Sequence, residues 1–421
     1  MLTNGGTKWL AGVVAILMAG GVAHAQSAWR EAFQSSPATY DAPSDQFLKF
    51  AAEHWHAPVE VLRTDLTPQP VNGTVRYRIT VQAAGSRLRI RLSNEEGVAP
   101  LRLAAVSIGA AADGFAAQPG SLRALTFGGV SHISLAAGVV MISDPVSVKV
   151  KPGTDLVVSV ALESPMANEG RGGAGFVRAD GNQAMETVLD RSTPMTGRPL
   201  VSGIQILGDP APRVIVTMGD SITDGNRAKP GMPHGWPERL AQRLAKRQGG
   251  RPYSVVNAGI AGNRLLTRGW GAAGLARLDR DVLRIEGVSH LILLEGINDI
   301  NMSGRSPFGT NPDISAEELI TGYRQVIARA HARGIKVYIG TLTPNPADDF
   351  STPAKVAMRN AVNRWIRTSG EPDGAIDFEA MVRDPAAPTR FRAEFDSGDH
   401  LHPSDRGYIA MGDGIDLRLF P

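Results

Sequence analysis

Two stretches far apart in the chain hold residue types that together do nucleophilic chemistry. In Asp399-His400-Leu401-His402 a carboxylate stands three residues before an imidazole, where it can accept from the ring Nδ1–H, fix the tautomer and leave Nε2 as a base. In Met218-Gly219-Asp220-Ser221-Ile222-Thr223-Asp224-Gly225 a hydroxyl sits where an apolar run gives way to turn residues. On a turn from strand to helix, such a Ser exposes its Oγ and keeps its backbone N–H unsatisfied at the helix N-terminus. Serine, base and orienting acid cleave esters if donors stand by for the oxyanion. Each stretch alone is weak, because Gly, Asp and Ser are ordinary turn residues and the Gly-x-Ser-x-Gly elbow of α/β hydrolases is not what is written here. Asp396 rivals Asp399 as orienter, but six residues from His402 it needs a curved loop to reach the ring, and it reads as a turn or cap residue.

The elements that must position these residues are short buried strands, Val214 to Met218, Val255 to Ala258, Leu291 to Glu295, Lys336 to Leu342 and Ala375 to Phe378. They alternate with helical stretches near 236 to 247, 274 to 284, 315 to 332, 354 to 368 and 404 to 415, a pattern that predicts a three-layer α/β sheet. The third helical stretch opens on a capping box, Ser315-x-x-Glu318, and stops at Gly334. Chemistry in such sheets collects at the carboxyl ends of the strands. The second strand ends in Asn257-Ala258-Gly259-Ile260-Ala261-Gly262-Asn263 and the third in Glu295-Gly296-Ile297-Asn298-Asp299.

Four blocks in this order resemble the SGNH, or GDSL, hydrolases over roughly residues 211 to 415. The resemblance implies Ser221 as nucleophile, Asp399 and His402 as its partners, and an oxyanion hole from the Ser221 N–H, the Gly262 N–H and the Asn298 side-chain amide. It also implies a three-layer, flavodoxin-like SGNH domain; the residue types themselves imply an acyl-enzyme cleaved by water, with no cofactor or metal needed. The wider wording of the blocks, with a β-rich region ahead of them, is similar to xylanase-associated acylesterases.

That region, about 58 to 165, alternates apolar and polar residues, as in Val75-Arg76-Tyr77-Arg78-Ile79-Thr80-Val81 and Arg87-Leu88-Arg89-Ile90-Arg91-Leu92. With Leu101 to Ile108, Val139 to Ile142, Val146 to Val150 and Leu156 to Leu162 it predicts a β-sandwich of jelly-roll type. Ahead of it Trp29, Phe33, Tyr40, Phe47, Phe50 and Trp55 serve either to pack a lead segment on the sheet or to stack on sugars. The Gly-rich run within Pro165 to Gly197 reads as a surface loop or domain junction. Residues 1–25 read as an export signal, with Lys8, an apolar stretch from Trp9 to Ala23, and Ala23-His24-Ala25 before the cut. The expected division is 1–25 signal, 26–208 β-sandwich with its Gly-rich junction, and 209–421 catalytic domain, secreted or periplasmic and without a stable membrane anchor.

Composition excludes several alternatives. With 43% hydrophobic and 20% charged residues the chain is globular. No cysteine is present, which removes disulfides, thiolate metal sites and a cysteine nucleophile. A net charge of +3 without a dense basic run gives no footprint for nucleic acid. His400 with His402, and His54 with His56, are alternating pairs without identifiable third and fourth metal ligands. Arg264, Arg268 and Trp270, after the second strand, either bind an acidic or sugar part of a substrate or form a solvated loop. Asp299 reads as a brace for backbone N–H groups, Asp224 and Gly225 as cap and turn, and Trp236, Leu240 and Leu244 as core. The resulting expectation is a secreted O-acylesterase acting on a small-molecule or polysaccharide ester, acetyl in particular. An arylesterase or lipase-like enzyme is the runner-up, and a carbohydrate-binding protein without catalysis belongs to a different class.

Overall fold

The structure is a computed structural model that describes residue 1 and residues 29–39, 44–55, 57–67, 70–167, 175–229, 235–306, 309–346 and 351–421. The expected export signal, the Gly-rich run 168–174, Tyr40 and His56 lie outside the described residues.

The strands Arg213–Gly219, Tyr253–Gly259, Val288–Leu294 and Lys336–Gly340 are apolar and buried along most of their length, as strands covered on both faces must be. Among the described residues they form, with Gly374–Ile376, one five-stranded parallel sheet. Taken in chain order, the strands lie side by side as 2-1-3-4-5. Helices cover the sheet in two sets: Trp236–Lys246 packs with Asp405–Gly414, while Ala316–His331 packs with Pro353–Thr368 and Gly274–Leu278. This is the expected α/β architecture. Its strand order reverses at Arg213–Gly219, and the crevice beyond that carboxyl end is where such sheets place ligands. The capping box forms in both directions, with the Ser315 N–H donating to Glu318 Oε2 (2.7 Å) and the Glu318 N–H to Ser315 Oγ (3.2 Å). The expected helix near 274 to 284 instead changes at Asp279–Leu283 into a π-helical turn.

Among the described residues the β-rich half holds two antiparallel sheets. One runs in the order Trp29–Gln34, Val201–Leu207, Gly85–Ser93, Val140–Ile142, with Val146–Val150 also on Gly85–Ser93. The other is built round Pro70–Val81, Thr154–Ala167 and Leu101–Ala110. A single buried cluster takes Leu88, Ile90 and Leu92 from the first and Val75, Tyr77, Ile79 and Val158 from the second, so the alternation read from the sequence points one way in both. The segment Pro165 to Gly197 is not simply a loop. Phe176–Ala179 pairs with Thr74–Tyr77 and with Thr193–Met195, so the chain rejoins the sheet after the Gly-rich run. Four residues with one Arg carry too little pattern to announce a strand. The lead segment, to which the sequence assigned no elements, holds the strand Trp29–Gln34 and the helices Asp45–Trp55 and Val59–Leu66.

The two halves are locked together by buried polar contacts. The Glu31 N–H donates to Glu286 O (3.1 Å) and Gln34 Nε2 to Asp281 O (2.8 Å). Arg198, buried, donates from Nη2 to Asp224 Oδ2 and to Gly259 O, both at 3.1 Å, and so ties the β-rich half to the helix that starts at Ser221. Removing one partner of a buried ion pair typically costs about 3 to 5 kcal/mol, because the other charge is left without a partner or water. Arg198→Met is therefore expected to lower unfolding free energy by about that much in denaturant titration. A loss under about 1 kcal/mol, the range of an exposed pair, would contradict the anchoring role.

Candidate active site

The first strand delivers Ser221. Gly219 closes that strand where a Cβ would run into the Leu294 carbonyl and the Thr223 hydroxyl, so only glycine lets the chain turn there. Asp220 then caps the four-residue helix Ser221–Asp224, its Oδ1 accepting from the Ile222 N–H at 2.9 Å. Gly225 at φ +88° ends the helix as the expected turn residue.

The last loop delivers the base. His402 Nε2 lies 2.8 Å from Ser221 Oγ, and His402 Nδ1 lies 2.7 Å from Asp399 Oδ2. Asp399 Oδ1 also accepts from the backbone N–H groups of His402 (2.8 Å) and Leu401 (3.1 Å) and from Ser397 Oγ (3.0 Å). Burial would raise this carboxyl, but the His402 hydrogen bond and charge and the backbone N–H groups outweigh it and hold it well below the usual carboxylate range. Asp396 does not reach His402. Its Oδ1 accepts from the Gly398 and His400 N–H groups, as a turn residue does, and its Oδ2 lies 2.7 Å from His400 Nδ1, a pairing the sequence reading missed.

The second and third strands deliver the candidate oxyanion donors. Gly262 has φ +74°, and a Cβ there would collide with the Trp270 indole, so glycine is required twice over. Asn298 lies in the helix Ile297–Met302, just past the third strand, and Nδ2 donates to Asn263 O at 3.0 Å. That bond uses one N–H of the amide and leaves the second for a substrate. Asp299 braces the second block as expected, its two oxygens accepting from the Leu265 (2.7 Å) and Leu266 (2.9 Å) N–H groups.

What the sequence reading missed is the buried side of this arrangement. Arg277, wholly buried, donates to Gly219 O (3.0 Å), Ala258 O (2.7 Å), Asn263 Oδ1 (2.9 Å), Asp281 Oδ2 (3.0 Å) and Glu295 Oε2 (3.4 Å). One guanidinium thus fixes the ends of the strands that carry Ser221, Gly262 and Asn298. The visible signal was an Arg inside the apolar stretch Gly274-Leu275-Ala276-Arg277-Leu278. Around it, burial pushes up the Asp220 carboxyl, and burial with the Asp220 charge pushes up that of Glu295. Asp281 is held low: burial opposes, but Arg280 and Arg277 outweigh it. Arg227, also unforeseen, donates from Nε to Asp399 Oδ2 at 3.3 Å.

Two of the rim residues, Arg264 and Arg268, hold neighbouring loops. Arg264 donates to Asn311 Oδ1 (3.0 Å) and the Arg268 carbonyl, and Arg268 donates to Thr39 Oγ1 (3.1 Å). Trp270 meets Phe47 edge-on, with ring centroids 5.5 Å apart, so this lead-segment aromatic packs onto the catalytic half. Trp236, Leu240 and Leu244 are core. Among the described residues no group of three or more His, Asp or Glu side chains is arranged to hold a metal, and no helix is long and apolar enough to cross a membrane.

Asp299 gives a pH test. Burial raises its carboxyl to about 6 despite the bonds from Leu266 and Leu265. A raised folded value stabilises fully below the unfolded value of about 3.9, and that contribution is lost as pH rises through about 6. An Asn has no such loss. Between pH 4 and 7 the unfolding free energy of Asp299→Asn should therefore gain on that of the parent by about 2 to 3 kcal/mol. A difference constant across that range would show that Asp299 is ionised throughout.

A serine, an imidazole and a carboxylate stand in one hydrogen-bonded chain at the switch point of a parallel sheet, the arrangement of a candidate serine-hydrolase site without the Gly-x-Ser-x-Gly elbow. Residues 217–410 match the model of the GDSL-like lipase/acylhydrolase family. That stretch, a little under half of the chain, is an SGNH-type domain that hydrolyses esters. Among solved structures, a variant of an acetyl xylan esterase from Geobacillus stearothermophilus is similar at 21% identity over 49% of this chain and 93% of its own, with a TM-score of 0.39. A GDSL-like lipase from Bacteroides thetaiotaomicron is similar at 19% identity over 48% of this chain and 84% of its own, with a TM-score of 0.35. No curated protein matches.

Proposed function

We propose that the protein hydrolyses short O-acyl esters, acetyl in particular, on carbohydrate through Ser221, His402 and Asp399. The observation that carries the reading is the unbroken chain from Ser221 Oγ through His402 to Asp399, with contacts of 2.8 and 2.7 Å. His402 Nε2 takes the Ser221 proton as Oγ attacks the ester carbonyl carbon, and the carbonyl electron pair moves onto oxygen. Asp399 holds the imidazole and offsets its charge. The oxyanion takes hydrogen bonds from the N–H groups of Ser221 and Gly262 and from the Asn298 amide. On collapse the alcohol leaves with the proton from His402, and water repeats the cycle on the acyl-enzyme.

Substrate class rests on the export-type leader, which would bring the enzyme among polysaccharides, and on the aromatic wall of Trp270 beside Gly262, backed by Phe47. In this reading residues 26–208 are a β-sandwich of jelly-roll type, 209–421 the catalytic unit, and 1–25 are removed on export to a secreted or periplasmic protein. The test is kcat/KM on acetyl, butyryl and octanoyl esters of one alcohol, followed by acetate release from acetylated polysaccharide. Preference for acetyl with acetate release is expected. An octanoyl preference would move the assignment to a lipase-like esterase.

A further inference from the structure

A cavity of about 350 Å³, away from Ser221, is lined by Arg359, Arg364 and Arg367 of the helix Pro353–Thr368 and by Arg383, with Glu379 as the one lining carboxylate. It has room for about ten waters at their liquid volume, well beyond a bare ion. Arg367 is already paired, its Nη2 2.6 Å from both Asp377 Oδ1 and Glu379 Oε2. Arg359 is buried, with Nη2 3.0 Å from Glu379 Oε1 and Nη1 donating to Thr343 O at 2.8 Å. Its Nε is buried without any partner. Among the described residues Arg364 and Arg383 have no carboxylate partner at all.

Four guanidinium groups thus line one concavity with a single carboxylate, and two of the four have no carboxylate partner among the described residues. Burial lowers the Arg359 guanidinium; Glu379 opposes, while the charges of Arg367 and Arg383 add to the lowering, so the like charges feel each other. Planar guanidinium forks fit carboxylate and phosphate oxygens in particular. We propose that this cavity binds the oxyanion of a small polar molecule, a sugar carboxylate or a phosphate, between Arg364 and Arg383, with the buried Arg359 adding positive charge to the wall. Nothing in the ester hydrolysis uses these residues, so the site adds a second recognition function.

The test is calorimetric titration of the full chain at low salt with glucuronate, with inorganic phosphate and with neutral glucose. The same titrations are run on the double variant Arg364→Gln, Arg383→Gln. Hydrogen bonds to charged groups imply at least a tenfold loss of oxyanion affinity in the variant, with circular dichroism and hydrolysis of a small soluble acetate ester unchanged. Glucuronate binding without phosphate binding assigns a carboxylated sugar, and phosphate binding that outcompetes glucuronate assigns a phosphate. Binding of neither oxyanion, equal binding of glucose, or undiminished affinity in the variant would overturn the proposal.

Discussion

Ser221→Ala and His402→Ala should each lower kcat for ester hydrolysis on the order of 10⁵- to 10⁶-fold while the protein stays folded. The two side chains act as one unit: without Oγ there is no covalent route, and without Nε2 the hydroxyl keeps its proton. Their contact of 2.8 Å joins the two ends of the catalytic half. Neither substitution adds volume, so circular dichroism and thermal melts should follow the parent. Any residual rate should reflect the remaining oxyanion donors. Turnover within tenfold of the parent in either variant would remove the residue from the chemistry.

The second large effect separates two aspartates that the sequence left in competition. Asp399→Asn should lower kcat by about 10⁴-fold, because an amide in place of the carboxylate favours the wrong imidazole tautomer and no longer offsets the imidazolium charge. Asp396→Asn should change kcat by less than tenfold, since its partner is His400, whose ring is exposed and contacts neither Ser221 nor His402. The two residues lie on one loop, and each holds one imidazole Nδ1 at 2.7 Å, so the comparison controls for general damage to the loop. A reversed order of rates would transfer the orienting role to Asp396.

The candidate site was legible because its parts sit at strand ends, where an apolar run stops and a polar block begins, as at Met218 to Ser221 and Leu294 to Asn298. Spacing told Asp399 from Asp396, since three residues bring a carboxylate back to the ring through a single tight turn. The arginines were not legible. Arg277, Arg198 and Arg359 are buried, but a charged residue in a helix or loop carries no mark of burial, and its partners come from distant segments such as Gly219, Asp224 and Glu379. The junction was misread for a related reason: Phe176–Ala179 and Thr193–Met195 are strands too short for a period, held by pairing with Pro70–Val81 or with each other. The change of period told the antiparallel strands from the parallel ones, but gave no sign of the Arg198–Asp224 pair and the Gln34–Asp281 contact that join the two halves.

The central claim is that Ser221 is the atom carrier of an acyl-enzyme, and a fluorophosphonate tests it most directly, because such a reagent phosphonylates a serine that a neighbouring base has activated. Intact mass and peptide mapping are followed against remaining esterase activity as the reagent is added. One adduct per chain, on the peptide bearing Ser221, with activity lost in proportion and no adduct on Ser221→Ala, is the result this account predicts. Full activity after complete labelling of Ser221, or loss of activity with the adduct on another residue, would contradict it.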